Sequence, residues 1–145
     1  LGLMAKSFMD KGDLVPDEVT INMLNEVVRN NLDSNGFIFD GFPRTNNQAE
    51  ALDKLMAEND STISAMIALE VDDEVLISRL LERGKTSGRV DDSNKDIIQN
   101  RISEYYKKTA ILKNFYLKKN RYFGVNGEGG IKIITERLSN VIESL

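Results

Sequence analysis

The 145 residues (16.3 kDa) carry 19 Lys and Arg against 23 Asp and Glu, with 41% hydrophobic and 29% charged residues. This is a globular composition long enough to bury a core, and its net charge of −4 argues against a non-specific nucleic-acid binder. The absence of both His and Cys excludes a catalytic triad, a thiol nucleophile, a disulfide, an ordinary zinc site and imidazole acid–base chemistry.

The chain opens Leu1-Gly2-Leu3, without initiator Met or signal peptide, which reads as part of a longer protein. Residues 3–9 are weakly helical and end at the Lys11-Gly12-Asp13 turn. Pro16 and Asp17 introduce a helix over 19–31, on which Val19, Met23, Leu24, Val27 and Val28 share a face. After the loop Asp33-Ser34-Asn35-Gly36, the apolar run Phe37-Ile38-Phe39 stops at Asp40-Gly41 and reads as a buried parallel strand. A helix is expected over 46–58, with Ala49, Leu52, Leu55 and Met56 on one side.

The alternation then repeats. A second strand is expected over 64–71 and a helix over 73–82, opened by acids at its positive end. Residues 83–92, with Gly84, Gly88 and a high charge density, read as a loop; 94–119 reads as one long helix. A third strand over 122–126 precedes Gly127, Gly129 and Gly130 and a closing helix over 134–145. The methionines (Met4, Met9, Met23, Met56, Met66) and the aromatics Tyr105, Tyr106, Phe115 and Tyr116 are expected in the core. Strands separated by helices predict an α/β fold, a parallel sheet with helices on both faces. No apolar run approaches the ~18 residues of a membrane span, and a Cys-free chain fits a reducing cytosol.

With His and Cys gone, the remaining chemistry belongs to arginine, lysine, carboxylates and backbone amides, a set suited to phosphate. Asp40-Gly41-Phe42-Pro43-Arg44 ends the first expected strand, where open α/β sheets bind ligands. Gly41 admits close approach to the backbone, Pro43 stiffens Phe42, and Arg44 can grip a phosphate with paired hydrogen bonds. The same residues equally describe a strand-to-helix turn with a surface arginine, and Asp40 either orients a metal-bound water or caps that turn. Arg79 and Arg83 share a helix face, Arg89 follows in the loop and Arg101 on the next helix. Drawn together they would need anions between them, as a polyphosphate supplies; the plainer alternative is pairing with Glu82, Asp91, Asp92 and Glu104. Gly84-Lys85-Thr86-Ser87-Gly88 is either a lid or an ordinary connection. Neither Gly-x-x-x-x-Gly-Lys-[Ser/Thr] nor Gly-x-Gly-x-x-Gly occurs.

Together these residues carry a resemblance. Asp40-Gly41-Phe42-Pro43-Arg44-Thr45 with Gln48 resembles the monophosphate-binding motif of adenylate kinases, and Gly12-Asp13-Leu14-Val15-Pro16-Asp17-Glu18 resembles the segment upstream of it. Residues 83–92 resemble the family's short lid, without a zinc-binding insertion, and Arg101-Ile102-Ser103-Glu104-Tyr105 completes the series in family order. The resemblance implies a parallel-sheet P-loop nucleoside monophosphate kinase core. Residues 1–29 would then be the remainder of the monophosphate subdomain, 30–82 and 93–145 core, and 83–92 the lid. The implied reaction is reversible transfer from ATP to AMP giving two ADP, with Mg2+ accompanying ATP and no zinc. The implied setting is a cytoplasmic monomer without nucleic-acid or membrane partners.

By the same resemblance, Asp13, Leu14 and Val15 line the AMP adenine, Asp13 through its backbone because some relatives carry Lys there. Gly41, Phe42, Pro43 and Arg44 hold the AMP phosphate side, and Gln48 bonds the adenine edge. Arg79 and Arg83 contact ATP phosphates, Arg89 and Arg101 bridge both substrates, and Gly124 meets the ATP adenine. Asp40 orients magnesium through water. With Arg44, the arginines Arg79, Arg83, Arg89 and Arg101 form the expected catalytic set. The family's first strand and its phosphate loop are not among these residues; that strand would lie between the strands at Phe37 and Ala65, so unpaired edges and an inactive 145-residue chain are expected. Two alternatives remain: a UMP/CMP-type kinase, which shares the lid and the turn but differs at the position of Gln48, and a non-catalytic nucleotide-binding module.

Overall fold

A computed structural model describes residues 2–11, 13–92 and 94–145. Leu1, Gly12 of the upstream motif and Ser93 lie outside the described residues, as do the side chains of residues 2–5, Met4 included, and of Val90.

Most helices form where apolar spacing and end signals place them. Helix α1 spans Gly2–Met9 and α2 Asp17–Arg29, with Pro16 before α2 and Asp17 and Glu18 in its first turn, where acids suit the helix dipole. Helix α3 (Asn46–Ala57) starts at Thr45, whose hydroxyl accepts from the Gln48 N–H at 3.2 Å; such a cap stabilises by about 1 kcal/mol. The predicted stripe of α3, Ala49, Leu52, Leu55 and Met56, is buried. On α2 only Val28 is fully buried, and Met23 and Val27 are largely exposed. Met9 is exposed as well, so the expectation that the methionines are core holds for Met56 and, in part, Met66.

Two of the three expected strands form. β1 (Met66–Glu70) and β2 (Tyr122–Asn126) pair in parallel, from Met66 opposite Tyr122 to Glu70 opposite Asn126. Phe37-Ile38-Phe39 joins no ladder, and Ile38 is 94% exposed. The reason is a missing neighbour: a strand persists by pairing its N–H and C=O groups, and the described residues place no strand beside it. The Phe37 and Phe39 rings instead stack on one another, centroids 5.8 Å apart.

Helix α4 spans Asp73–Ser87 and so runs past its expected end into the segment read as a loop. It stops at Gly88 in the left-handed region (φ 67°, ψ 8°), the usual glycine terminator, and a 3-10 turn over Val90–Asp92 follows. The single helix expected over 94–119 is divided into α5 (Lys95–Glu104), a wide π turn (Tyr105–Thr109) and α6 (Leu112–Leu117). In that turn the Ala110 N–H reaches back five residues to the Tyr105 carbonyl at 2.8 Å. Tyr105 and Tyr106 are consequently half exposed, whereas Tyr116 is buried. Helix α7 (Ile131–Glu143) closes the chain and packs, like α6, on β2.

The core sits where α3, α6 and the sheet meet: Ala49, Leu112 and Tyr116 against Ile63, Met66, Phe115 and Tyr122. Burial pushes the Tyr116 phenol up to about 12. Among the described residues no helix is long and apolar enough to cross a membrane.

Candidate active site

Asp40 to Thr45 form a turn leading into α3. Gly41 adopts φ 70°, and a Cβ built there would stand 2.9 Å from Arg44 Nη2. Glycine therefore lets the Arg44 guanidinium fold back over the turn, where its Nε donates to the Gly41 carbonyl at 2.7 Å. Phe42 and Pro43 are half-buried, and the peptide between them is cis. The Arg44 carbonyl accepts from Thr109 Oγ1 at 2.8 Å, tying the turn to the π segment. Arg44 keeps solvent contact, yet the protein packed around its head, followed by the charges of Arg101 and Arg89, lowers its pKa. Those repulsions bring Arg44, Arg89 and Arg101 into one field. Exposed Asp40 partly offsets them.

Across from this turn, Arg83, Arg89 and Arg101 converge on two tandem carboxylates. Arg83 Nε donates to Asp92 Oδ2 at 2.6 Å, and Arg101 Nη1 donates to Asp92 Oδ1 and lies 2.9 Å from Asp91 Oδ2. Arg89 grips Asp91 with both Nε (3.1 Å) and Nη2 (2.8 Å). Asp92 is completely buried and Asp91 nearly so, while the arginine side chains stay 45% (Arg83), 40% (Arg89) and 24% (Arg101) exposed. The alternative of simple pairing is thus met only in part. Glu82 goes to Lys85 and Glu104 to Lys108, and two carboxylates serve three guanidiniums, each with five N–H donors. Among the described residues, donors and positive charge are left over on partly exposed side chains.

Arg79, one turn before Arg83, takes a separate role: Nη1 donates to the Gly127 carbonyl at 2.7 Å and Nη2 to that of Gly129 at 3.3 Å. It thereby holds the loop beyond β2. Gly124 lies upstream of that loop, inside β2 opposite Ala68 and beneath the Glu70 carboxylate. Leu14 and Val15 are half-buried ahead of α2; the Asp13 N–H donates to Phe8, and its carboxylate accepts from Asn100 Nδ2 at 3.0 Å. Gln48 is buried, its amide held between the Arg44 N–H (2.7 Å) and Asp17 (2.9 Å). Asp17 carries a sequence signal only as a helix-start acid within the 12–18 motif, not for its contacts with Thr45 and Gln48, and Asn100 and Thr109 carry none. Only the Asp91-Asp92 pair, next to three arginines, carried a sequence signal for its anchoring role.

No group of three or more metal-ligating side chains converges among the described residues.

A parallel α/β sheet, a glycine–proline turn carrying Arg44, and guanidiniums in excess over buried carboxylates define a site of the phosphotransferase class. The sequence model of the family described as "Adenylate kinase" matches residues 1–121. The adenylate kinases of Flavobacterium psychrophilum and Flavobacterium johnsoniae are 58% and 54% identical to the whole chain, which spans 76% of each relative. That of Micrococcus luteus is 40% identical, with 70% of its length covered. The chain belongs to the adenylate kinase family, and its resemblance to that family is borne out.

Proposed function

We propose that these residues form the acceptor and transfer side of an enzyme that moves a phosphoryl group between Mg·ATP and AMP, giving two ADP. The observation that carries this reading is the surplus of guanidinium over carboxylate at Arg83, Arg89 and Arg101, beside Arg44. In such a transfer an AMP phosphate oxygen bonds to the γ-phosphorus while the bond from that phosphorus to the β-bridging oxygen breaks. The protein supplies alignment and charge neutralisation, and no proton need be taken by a side chain.

Arg44 holds the acceptor phosphate at the Gly41–Arg44 turn. Arg89 and Arg101 bridge donor and acceptor, and Arg83 neutralises the donor phosphates. Arg79 supports the loop at Gly127–Gly129 against the donor nucleotide, with Gly124 upstream. Leu14 and Val15 face the acceptor's base, Asp13 adds its backbone, and Gln48 reads the base edge, favouring AMP over UMP and CMP. Asp40 orients a water of the Mg2+ that enters with ATP. The setting proposed is a cytoplasmic monomer.

These 145 residues contain no Gly-x-x-x-x-Gly-Lys-[Ser/Thr] loop to grip the triphosphate, so the chain by itself is expected to be inactive. A coupled assay with Mg·ATP and AMP, UMP or CMP tests the reading. The expected result is no turnover by the 145-residue chain, and turnover with preference for AMP by the protein expressed from its complete gene. Turnover by the 145 residues alone refutes the first part. Preference for UMP or CMP refutes the assignment of Gln48, and an inert full-length product refutes the kinase reading in favour of a nucleotide-binding module.

A further inference from the structure

We propose that Asp17 is a specificity-positioning residue, whose carboxylate fixes which way the Gln48 amide faces and thereby which purine the acceptor site takes. The inference rests on the reading of Gln48 as the group that meets the acceptor's base. Asp17 stands half-buried at the start of α2, 31 positions before Gln48. Its Oδ1 accepts from Gln48 Nε2 at 2.9 Å, and its Oδ2 accepts from Thr45 Oγ1, also at 2.9 Å. On the other side of the amide, Gln48 Oε1 accepts from the Arg44 N–H at 2.7 Å.

The amide is therefore clamped between a group that only accepts and a group that only donates. Turning it over would set Nε2 against the Arg44 N–H and Oε1 against a carboxylate, two mispairings at a buried side chain. Asp17 supplies the half of this clamp that a side-chain change can remove.

What the clamp leaves over has a polarity. An amide offers two N–H groups and two lone pairs; after Asp17 and Arg44 each take one, one N–H and one lone pair remain. That pair complements a purine edge with an amino donor beside a ring-nitrogen acceptor, as adenine has. A 6-oxo purine presents the reverse, a carbonyl acceptor beside a ring N–H, and meets like with like. Unpaired polar groups in a closed site discriminate far more strongly than a difference in size.

The test uses the protein expressed from its complete gene, with AMP and IMP as acceptors at saturating Mg·ATP. Asp17→Asn keeps the volume but adds an N–H donor, so that only the Arg44 N–H still favours one setting of the Gln48 amide; Asp17→Ala removes the contact. In both, the AMP:IMP ratio of kcat/KM is expected to fall about tenfold. The change should lie in the acceptor KM, with the KM for ATP unchanged. Thr45→Val removes the α3 cap and its bridge to Asp17 but leaves the contact between Asp17 and the Gln48 amide; it should lower the melting temperature and leave the ratio as in the wild type. An unchanged ratio in a folded Asp17 variant overturns the proposal. So does a ratio shifted equally by Thr45→Val, or failure of both Asp17 variants to fold, since either assigns Asp17 a structural role only. Wild-type preference for a pyrimidine monophosphate, or a Gln48→Leu variant with unaltered KM for AMP, instead removes the reading beneath it.

Discussion

Asp91 shows how single residues here are tuned by what they face. Burial pushes its carboxyl up, but the hydrogen bonds from Arg89 and the charges of Arg101 and Arg89 outweigh that and hold it below the ordinary Asp range. Asp91 in turn raises Arg89 through the same hydrogen bonds. A carboxyl with a folded pKa below its unfolded value binds fewer protons in the native state, so its contribution rises with pH. That contribution is complete above the unfolded Asp value of ~4 and is lost as pH falls through the lower folded one. Melting temperatures should therefore hold from neutral pH down to about 5 and fall below about 4. Asp91→Asn should be less stable at neutral pH and show a shallower acid limb, with the remaining slope coming from groups such as Glu70, also lowered by its Lys113 and Tyr122 hydrogen bonds. Melts followed by circular dichroism check this; an acid limb equally steep in the variant would dismiss the role of Asp91.

Helix α4 behaves as an element in a way its propensities do not forecast. Glycine inside a helix costs about 0.5–1 kcal/mol relative to alanine, so Gly84→Ala looks stabilising. A Cβ at Gly84, however, would stand 2.4 Å from the Asp92 carbonyl oxygen, with backbone on both sides. The helix and the Asp91–Asp92 turn must then separate, carrying the anchors away from Arg83 and Arg101. Gly84→Ala is thus expected to lower the melting temperature and weaken nucleotide binding by the full-length protein, measured by calorimetry; a stabilised variant with full affinity would contradict the close packing. The same contact explains what sequence could and could not tell. Helix α3 and strand β2 are legible because local signals, the Ala49, Leu52, Leu55 and Met56 stripe and a β-rich run after a helix, agree with their tertiary setting. Helix α4 outruns its expected end at residue 82 because the reason for Gly84 is a neighbour eight residues on, Asp92, which no local rule contains. At the site, the arginines were legible as a group, while Asp17 looked like any acid at a helix start.

At the scale of the whole molecule the sheet is narrow, with β1 paired on one side only by described residues. The strand expected at Phe37-Ile38-Phe39 shows the limit of pattern reading: composition can mark a segment as strand-forming, yet a partner has to lie beside it. Ile38, 94% exposed in a segment that joins no ladder, and Leu69, half exposed on β1, leave apolar side chains in solvent on segments with open backbone groups. The 145-residue chain should consequently self-associate with rising concentration in sedimentation experiments, and Ile38→Lys should reduce that tendency without lowering the melting temperature. Association unaffected by the substitution would point to another face. The π turn at Tyr105–Thr109 has a further consequence for the molecule as a unit. An α-helix advances 100° per residue, so the extra residue in one wide turn rotates everything after it by about that angle relative to everything before. Upstream, α5 aims Arg101 at Asp91 and Asp92; downstream, α6 seats Leu112 and Tyr116 in the core, with Thr109 at the seam touching Arg44. The turn works as a phase offset, allowing one nearly continuous rod to obey two angular demands, the pairing of Arg101 with buried carboxylates at one end and core packing at the other.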